Sequence, residues 1–374
     1  MLALLLTAPA AAADDDWIGA QVLPKETARP RLDKQVLKWN DLPLPCTVEQ
    51  VQGDWLWVKT AWVLKSDVLT LDQAPAYYTE LMKRVGEGKS VVYALRGISW
   101  LLNQEYVNAS RDFDEAVRLE PGNASYHHLR GKSLYLLHKY DDALAEFNES
   151  IRLAPSNLVV HNDRAVTWNA LGEHQRANQE LRDVLRTDPN NALAYSNLGA
   201  NWYDQGEDDK ALDALNNAIR LDPKFAGAYC NRGRVLTKKG DYPTAVDDFQ
   251  KAMKLAPREW YSYHGWARVL ATAHWPQLRD GPRAKQLAER SCELSRWNEW
   301  HAIATLAAAE AELGNYETAM KLQTKAMAMS QPAKERDQLE NEKRMACYKA
   351  GKAYYDDAPA EAPGPPEPVD ASTK

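Results

Sequence analysis

The sequence predicts a mostly α-helical protein in which a solenoid of paired helices follows a small β domain. From Ser90 onward, small residues, large residues and prolines recur with a period of 34 residues, which indicates repeated helix hairpins. Before residue 71 the chain carries short apolar runs separated by Pro, Gly, Asn and Asp, which are strand signals. The length of 374 residues and the 45% hydrophobic content are sufficient for a sizeable core.

The first element, residues 2–13 (LALLLTAPAAAA), is an apolar run too short to span a bilayer. Ala11 and Ala13 match an A-x-A cleavage pattern before Asp14, although no basic segment precedes the run. We therefore expect residues 1–13 to be a signal peptide and the protein to be exported to the periplasm or cell envelope. The protein would be cytoplasmic if this interpretation were wrong.

Residues 14–70 are predicted to form the β domain, with strand signals in the runs WIGAQVLP, LPCTVEQV, DWLWV and AWVLKSDVL. The stretch VQGDWLWVKTAWVLKSDVL is similar to bacterial SH3-like domains, with Ala61 at a position where glycine is usual. This resemblance implies a small SH3-like β-barrel, and such modules can bind peptides or cell-wall material.

The tryptophans of this domain have two possible roles. We expect Trp55 and Trp57 to pack in the core, because alternation with Val58 fits a half-buried sheet. Exposure of Trp39, Trp55 or Trp62 on one patch would instead favour a cell-wall ligand.

Five consecutive repeats begin at Ser90, and each carries the same kinds of residue at the same positions. Small residues at positions 8 and 20 let two helices approach closely, and large residues at positions 11 and 24 fill the space beside that contact. Proline at position 32 prevents the second helix from continuing. Position 8 holds Gly97, Gly131, Ala165, Gly199 and Gly233, position 20 holds Ala109, Ala143, Ala177, Ala211 and Ala245, and position 32 holds Pro121, Pro155, Pro189, Pro223 and Pro257.

This pattern resembles the tetratricopeptide repeat (TPR), a hairpin of two helices with the same 34-residue spacing. The resemblance implies a TPR α-solenoid over residues 71–354, with about seven helix hairpins and a capping helix. It also implies a concave groove of the kind in which TPR proteins hold peptides.

The less regular parts of the array are predicted from local signals. Residues 71–85 resemble the second helix of an incomplete first repeat. In the sixth repeat, Pro276, Gly281 and Pro282 indicate an enlarged loop before the second helix. A seventh repeat covers 300–333, and a charged helix from about Ala333 to Tyr354 suits a terminal cap. Residues 355–374, rich in proline, alanine and acid, are expected to be a disordered tail.

Position 7 of a repeat lies on the face that packs inside the hairpin, so a charge there needs a partner. Wherever position 7 is arginine, position 23 is acidic, in the pairs Arg96 with Asp112, Arg130 with Glu146, Arg164 with Glu180, and Arg232 with Asp248. Where position 7 is leucine, position 23 is apolar, in the pairs Leu198 with Ala214 and Leu306 with Leu322. This covariation predicts a salt bridge between the two helices of each arginine-containing hairpin.

Positions 2, 5, 9 and 12 of a repeat share a different face of the first helix, which by TPR resemblance lines the groove. The candidate groove residues are His128 and His264 at position 5, Lys132, Arg234 and Arg268 at position 9, and Asn197 and Asn231 at the flanking position 6. The cations would make parts of the groove basic in a chain of formal net charge -6, and the asparagines could hydrogen-bond a peptide backbone. We therefore predict a groove for acidic or C-terminal carboxylate peptides; the alternative is a solvated set of charges with no ligand.

Signals for other chemistry are missing from the sequence. The eight histidines and four cysteines show no metal-ligand spacing, and no phosphate-binding loop or nucleophile motif is present. The negative net charge argues against a nucleic-acid partner. We expect no metal, no cofactor, no transmembrane segment and no enzymatic activity.

The favoured function is a protein-protein interaction scaffold that binds a peptide or partner segment in the concave TPR groove. Two alternatives stay open. The first is a cell-wall-directed SH3-like module with the TPR array as a spacer, and the second is an accessory subunit of a separate enzyme.

Overall fold

The structure is a computed structural model that describes residues 18, 20–26, 28, 30–32, 35–36, 44–58, 61–330 and 335–356. The chain divides into two compact units, an N-terminal unit of Met1–Leu171 and a C-terminal unit of Gly172–Lys374. The predicted signal peptide, Trp39 and the tail from Ala358 lie outside the described residues.

The N-terminal unit contains a small antiparallel sheet before its helices. Its strands are β1 (Gln21–Pro24), β2 (Arg31–Leu32), β3 (Gln35–Val36), β4 (Cys46–Gln52), β5 (Trp55–Val58), β6 (Ala61–Leu64) and β7 (Val68–Thr70). Their order is β3-β2-β6-β5-β4-β1-β7, and each strand is antiparallel to its neighbours. The prediction of β structure before residue 71 is confirmed, whereas closure into an SH3-like barrel stays a prediction.

The expected core position of Trp55 and Trp57 is wrong. In β5 the side chains of Leu56 and Val58 are buried, so the two tryptophans point to the opposite face and are half-buried. On that outer face Trp57 contacts Trp62 of β6 in an edge-to-face arrangement, with ring centroids 5.3 Å apart. Alternation separates the two faces of a strand, but both faces of β5 are apolar, so the sequence does not say which one is inside.

Six helices follow the sheet in the N-terminal unit: α1 (Ala74–Val85), α2 (Ser90–Leu102), α3 (Tyr106–Leu119), α4 (Ala124–Leu136), α5 (Tyr140–Leu153) and α6 (Leu158–Ala170). Helices α2 and α3 form one hairpin, and α4 and α5 form the next. The predicted small residues lie where the helices meet: a Cβ added to Gly97 would lie 2.6 Å from Cε1 of the buried Phe113. Glycine at position 8 therefore permits the close packing of the hairpin.

Ten helices make up the described part of the C-terminal unit. They are α7 (His174–Thr187), α8 (Ala192–Asp204), α9 (Asp208–Leu221), α10 (Ala226–Lys239), α11 (Tyr242–Leu255), α12 (Trp260–Thr272), α13 (Gly281–Leu294), α14 (Trp300–Glu312), α15 (Tyr316–Met329) and α16 (Glu335–Lys349). The pairs α8/α9, α10/α11, α12/α13 and α14/α15 are hairpins, and α16 packs on α15. The predicted helical solenoid and its capping helix are therefore confirmed as a fold class.

Two helix boundaries differ from the predictions. Helix α13 begins at Gly281 rather than after Pro282, because the Asp280 carboxylate accepts a hydrogen bond from the Arg283 N–H (2.9 Å) and caps the helix. The loop is correspondingly shorter and contains a 3₁₀ turn at Pro276–Leu278. The capping helix ends at Lys349 instead of Tyr354, because Gly351 follows in the left-handed region (φ 65).

The predicted arginine pairs are present where both partners lie in one unit. Arg96 donates to Asp112 through Nε (2.8 Å) and Nη2 (2.7 Å), and Arg232 donates to Asp248 with the same two distances. Arg130 and Glu146 also form a salt bridge. The fourth pair, Arg164 with Glu180, joins residues of the two units and stays a prediction.

Candidate peptide-binding groove

A cavity of about 320 Å³ lies in the C-terminal unit, on helix faces that the repeat positions assign to the groove. Helices α8, α10 and α12, which are the first helices of repeats four, five and six, form one side of the cavity. The capping helix α16 and the chain that follows it form the other side. The charged side chains of its wall are Arg234, Lys238, Arg268 and Lys343, which are cationic, and Glu340 and Asp356, which are acidic.

Arg268 binds two carboxylates of its own chain. Its Nη2 lies 3.2 Å from Asp356 Oδ1 and 3.3 Å from Glu340 Oε1. The Thr272 hydroxyl donates a second hydrogen bond to Asp356, to Oδ2 at 2.9 Å. The Asp356 carboxylate holds the pKa of the Arg268 guanidinium well above its usual value. Arg268 is therefore paired with carboxylates of its own chain at this point of the groove.

Arg234 and Lys343 are the exposed cations of the cavity, and they come from the separate elements α10 and α16. The Arg234 guanidinium lies 4.8 Å from the centroid of the Tyr203 ring, and its Nη1 donates a weak hydrogen bond to Asn231 Oδ1 (3.4 Å). Neither contact is with an acidic side chain, so both leave the charge of Arg234 uncompensated. Lys238 differs, because it forms an ion pair with Asp208 (2.7 Å).

The histidines near the cavity are neutral. Desolvation by burial lowers the pKa of His264 well below its usual value, and the same cause lowers the pKa of His301 to about 3. His264 Nδ1 lies 2.9 Å from the Thr305 hydroxyl. His264 therefore adds no positive charge to the groove at neutral pH, in contrast to the expectation from sequence.

The structure brings Arg234, His264 and Arg268 together in the cavity wall, and none of the other candidate residues lines that wall. Asn231 is adjacent to Arg234, and its Nδ2 donates to the Ser196 hydroxyl (3.2 Å). Asn197 is half-buried outside the cavity wall.

His128 and Lys132 belong to the N-terminal unit. His128 Nε2 lies 2.6 Å from Asp163 Oδ2, so this side chain already has an acidic partner. Lys132 is exposed on α4.

The part of the wall formed by α16 and the segment after it is not among the residues predicted from the sequence. Glu340 and Lys343 lie on α16, and Tyr354 and Asp356 follow it. No periodic signal marks these residues, because they lie beyond the last repeat. The charged residues of α16 are evident in the sequence, but there they indicate a terminal cap and not a wall of the groove.

The described residues contain no metal cluster and no membrane-spanning helix. Among the described residues, no group of three or more His, Cys, Asp or Glu side chains could hold a metal ion. Within the same part of the chain, every helix is too short or too polar to cross a membrane. The four cysteines are free, and burial raises the pKa of the Cys230 and Cys292 thiols to about 12.

Family models match three segments of the chain. The TPR repeat model matches residues 202–239, and tetratricopeptide repeat models match residues 226–259 and 124–157. The last two segments coincide with the fifth and second repeats of the sequence. The chain therefore contains TPR repeats, which are generally found in protein-interaction scaffolds without enzymatic activity.

Two solved structures are similar to the chain in fold. The APC/C hetero-tetramer Cut9-Hcn1 matches with a TM-score of 0.50 and 20% identity, over 64% of this chain and 46% of that chain. Yeast Tom70 matches with a TM-score of 0.51 and 16% identity, over 75% of this chain and 59% of that chain. The chain thus spans less than two thirds of either protein. Among curated proteins, none matches the chain.

Proposed function

We propose that this protein is a non-enzymatic interaction scaffold whose C-terminal unit binds an acidic segment of a partner protein in its groove. One observation carries the proposal: cationic side chains outnumber acidic ones in the wall of the cavity. Arg234 and Lys343 are exposed there, so a carboxylate of the partner would pair with them at a small desolvation cost.

The charges would determine which segment binds, and an exposed apolar side chain of the wall would supply further contact. An exposed ion pair contributes only about 0.2–1 kcal/mol, so Arg234 and Lys343 favour acidic ligands without making binding tight. Leu339 is 54% exposed in the wall of the same cavity and offers apolar surface to an apolar side chain of the ligand. An extended peptide with alternating acidic and apolar residues fits both features.

The test is a charge reversal inside the cavity with a matched reversal outside it. Affinity capture with quantitative mass spectrometry would compare three proteins. These are wild type, the cavity variant Arg234→Glu with Lys343→Glu, and the control variant Lys251→Glu with Arg258→Glu. The control residues are exposed in the same unit and change the net charge equally. We expect the cavity variant to lose partners at least tenfold while the control keeps them. Equal capture by all three proteins would rule the groove out.

The β domain offers a second candidate function, a cell-wall contact. Trp55, Trp57 and Trp62 share the outer face of β5 and β6, and Arg31 lies 5.5 Å from the centroid of the Trp55 ring. A half-buried aromatic face favours ligands with flat apolar surfaces, such as sugar rings. Sedimentation with purified cell-wall sacculi should then weaken in Trp55→Ala, and a wild-type protein that stays in the supernatant would exclude this role.

We also propose that the protein acts in the periplasm or cell envelope, on the basis of the apolar run and A-x-A pattern before Asp14. The N-terminal sequence of the exported protein should then begin at Asp14. The third possibility, an accessory subunit of an enzyme, uses the same groove with the enzyme as the partner. It predicts that a single enzyme is captured in stoichiometric amount.

A further inference from the structure

A short segment follows the capping helix, residues 353–356, and two of its side chains, Tyr354 and Asp356, line the groove of the C-terminal unit. The Asp356 N–H donates to the Thr272 carbonyl (2.8 Å), while its carboxylate binds Arg268 and the Thr272 hydroxyl. Arg268 and Thr272 are positions 9 and 13 of the sixth repeat, on the groove side of α12. The segment is thus held through both its backbone and its acidic side chain, as a bound peptide is.

Two tyrosines of the segment add aromatic contacts. The Arg279 guanidinium lies 3.8 Å from the centroid of the Tyr355 ring, and the Arg344 guanidinium lies 5.4 Å from that of Tyr354. Tyr354 and Ala353 also pack beside the apolar cluster that contains Ala307, Ala311 and Tyr348. Along the segment, Ala353 therefore packs on an apolar surface, each of the two tyrosines contacts an arginine, and Asp356 binds Arg268.

We propose that residues 353–356 are an intrachain ligand of the groove, and that a partner segment with the same features must displace them. The ligand class is an aromatic pair followed by a carboxylate. This inference rests on the proposed function because it concerns the same groove. The inference adds two points to the proposed function: the chemistry of the partner segment, and the intrachain contact that controls access of that segment to the groove.

The geometry provides a route for displacement. The cavity beside the segment leaves Arg234 and Lys343 exposed, so an incoming acidic residue can bind there before Asp356 leaves Arg268. A tethered segment competes at an effective concentration in the mM range, which weakens the apparent affinity of a free ligand without altering the site. Loss of the tethered contacts should therefore increase the affinity for a free peptide.

The experiment uses the full chain and a fluorescein-labelled peptide of residues 350–360, with binding measured by fluorescence anisotropy. The release variant is Tyr355→Ala with Asp356→Ala, and its matched control is Lys349→Ala with Lys352→Ala, two exposed positions next to the segment. We expect the release variant to bind the peptide at least tenfold more tightly than wild type and the control to match wild type. Adding Arg268→Gln to the release variant should cancel the gain.

Each other result has a defined meaning. Equal peptide affinity in wild type and the release variant would overturn the inference, while partner loss in Arg234→Glu with Lys343→Glu would still support the proposed function. The reverse combination is a tenfold gain in peptide affinity of the release variant with unchanged partner capture by Arg234→Glu with Lys343→Glu. It would support the intrachain ligand and contradict the proposed binding of an acidic partner segment. A wild-type dimer that the release variant converts to a monomer would assign the segment to a second copy and overturn its intrachain role.

A second measurement does not depend on a peptide probe. Hydrogen exchange of the Asp356 amide should be slow in wild type, because this N–H is bonded to Thr272, and at least tenfold faster in Arg268→Gln. Fast exchange in wild type would contradict occupancy of the groove.

Discussion

Arg232 crosses the hairpin of the fifth repeat and binds Asp248, whose side chain is only 6% exposed. Its third nitrogen, Nη1, donates to Asn216 of the preceding repeat (2.8 Å). Arg164 makes the equivalent bond to Asn148, also 16 positions earlier in the chain (2.8 Å). Arg232 therefore connects the two helices of its hairpin and also connects that hairpin to the one before it, and Arg164 makes the second of these connections.

The buried pair predicts a strong coupling between its two members. Arg232→Leu leaves Asp248 buried without a cation, which typically costs about 3–5 kcal/mol. The double change Arg232→Leu with Asp248→Ala resembles the apolar pair Leu198 with Ala214 of the fourth repeat. We expect the double variant to be more stable than Arg232→Leu alone, as measured by urea unfolding in a double-mutant cycle. Additive losses of stability would contradict the pairing.

The arginine pairs were predictable because both partners lie at fixed positions of one regular hairpin. The contact between Asp356 and Arg268 was not predictable, since the two residues are 88 positions apart and no periodicity relates them. Composition alone places Tyr355 and Asp356 in the predicted disordered tail, because proline, alanine and acid dominate the residues that follow them. Contacts between a repeat array and a non-repeated end depend on a shape that sequence periodicity does not contain.

Helix α12 packs against its neighbour through a glycine outside the recurring small positions. A Cβ on Gly265 would lie 2.3 Å from Cε1 and 2.6 Å from Cζ of Phe249, which is 1% exposed and has little room to move. The same ring also limits Gly233 of α10, where the nearest distance would be 2.8 Å. One phenylalanine thus sets the separation between successive hairpins.

This contact predicts that Gly265→Ala is destabilising although alanine is the better helix former. Overpacking of a dense core typically costs about 1–3 kcal/mol, which exceeds the gain of about 1 kcal/mol in helix propensity. Thermal unfolding should show a lower Tm for Gly265→Ala. The control Gly122→Ala should match wild type, because no atom lies within 4 Å of a Cβ at that position.

Element types were easier to predict than element ends and faces. The hairpins follow from small and large residues whose spacing permits one packing arrangement. The start of α13 depends on the Asp280 cap, which is a local hydrogen bond that competes with the breaking tendency of Gly281 and Pro282. In β5, Trp55 and Leu56 are both apolar, and the choice of the inner face is made by the rest of the sheet.

At the scale of the whole molecule, buried neutral histidine makes stability depend on pH. The folded pKa of His301 is about 3, whereas unfolded histidine titrates near its usual value of 6.5. Between these values the unfolded chain binds the extra proton, so stability falls as the pH falls from 6.5 toward 3. Besides desolvation, the nearby cations Arg234, Arg268 and Arg344 disfavour the protonated ring, and Glu340 acts in the opposite direction.

We expect wild type to lose about 1–2 kcal/mol more than His301→Gln between pH 7 and pH 5, because one pKa unit corresponds to about 1.4 kcal/mol. Urea unfolding of both proteins at the two pH values gives this difference. Burial raises the pKa of Glu259 and Glu299, which acts in the opposite direction, but both proteins share these groups. Identical losses in the two proteins would show that His301 titrates normally.

The spacing of the arginine contacts has a consequence for how this chain can change in length. Arg232 reaches Asn216 16 positions before it and Asp248 16 positions after it, so each guanidinium is registered against two neighbouring helices. Gain or loss of a complete 34-residue module keeps every arginine opposite its acceptors. A deletion of one or two residues between an arginine and one of its acceptors would misalign that contact. Lineages of this protein should accordingly differ by integral modules, with smaller insertions confined to turns.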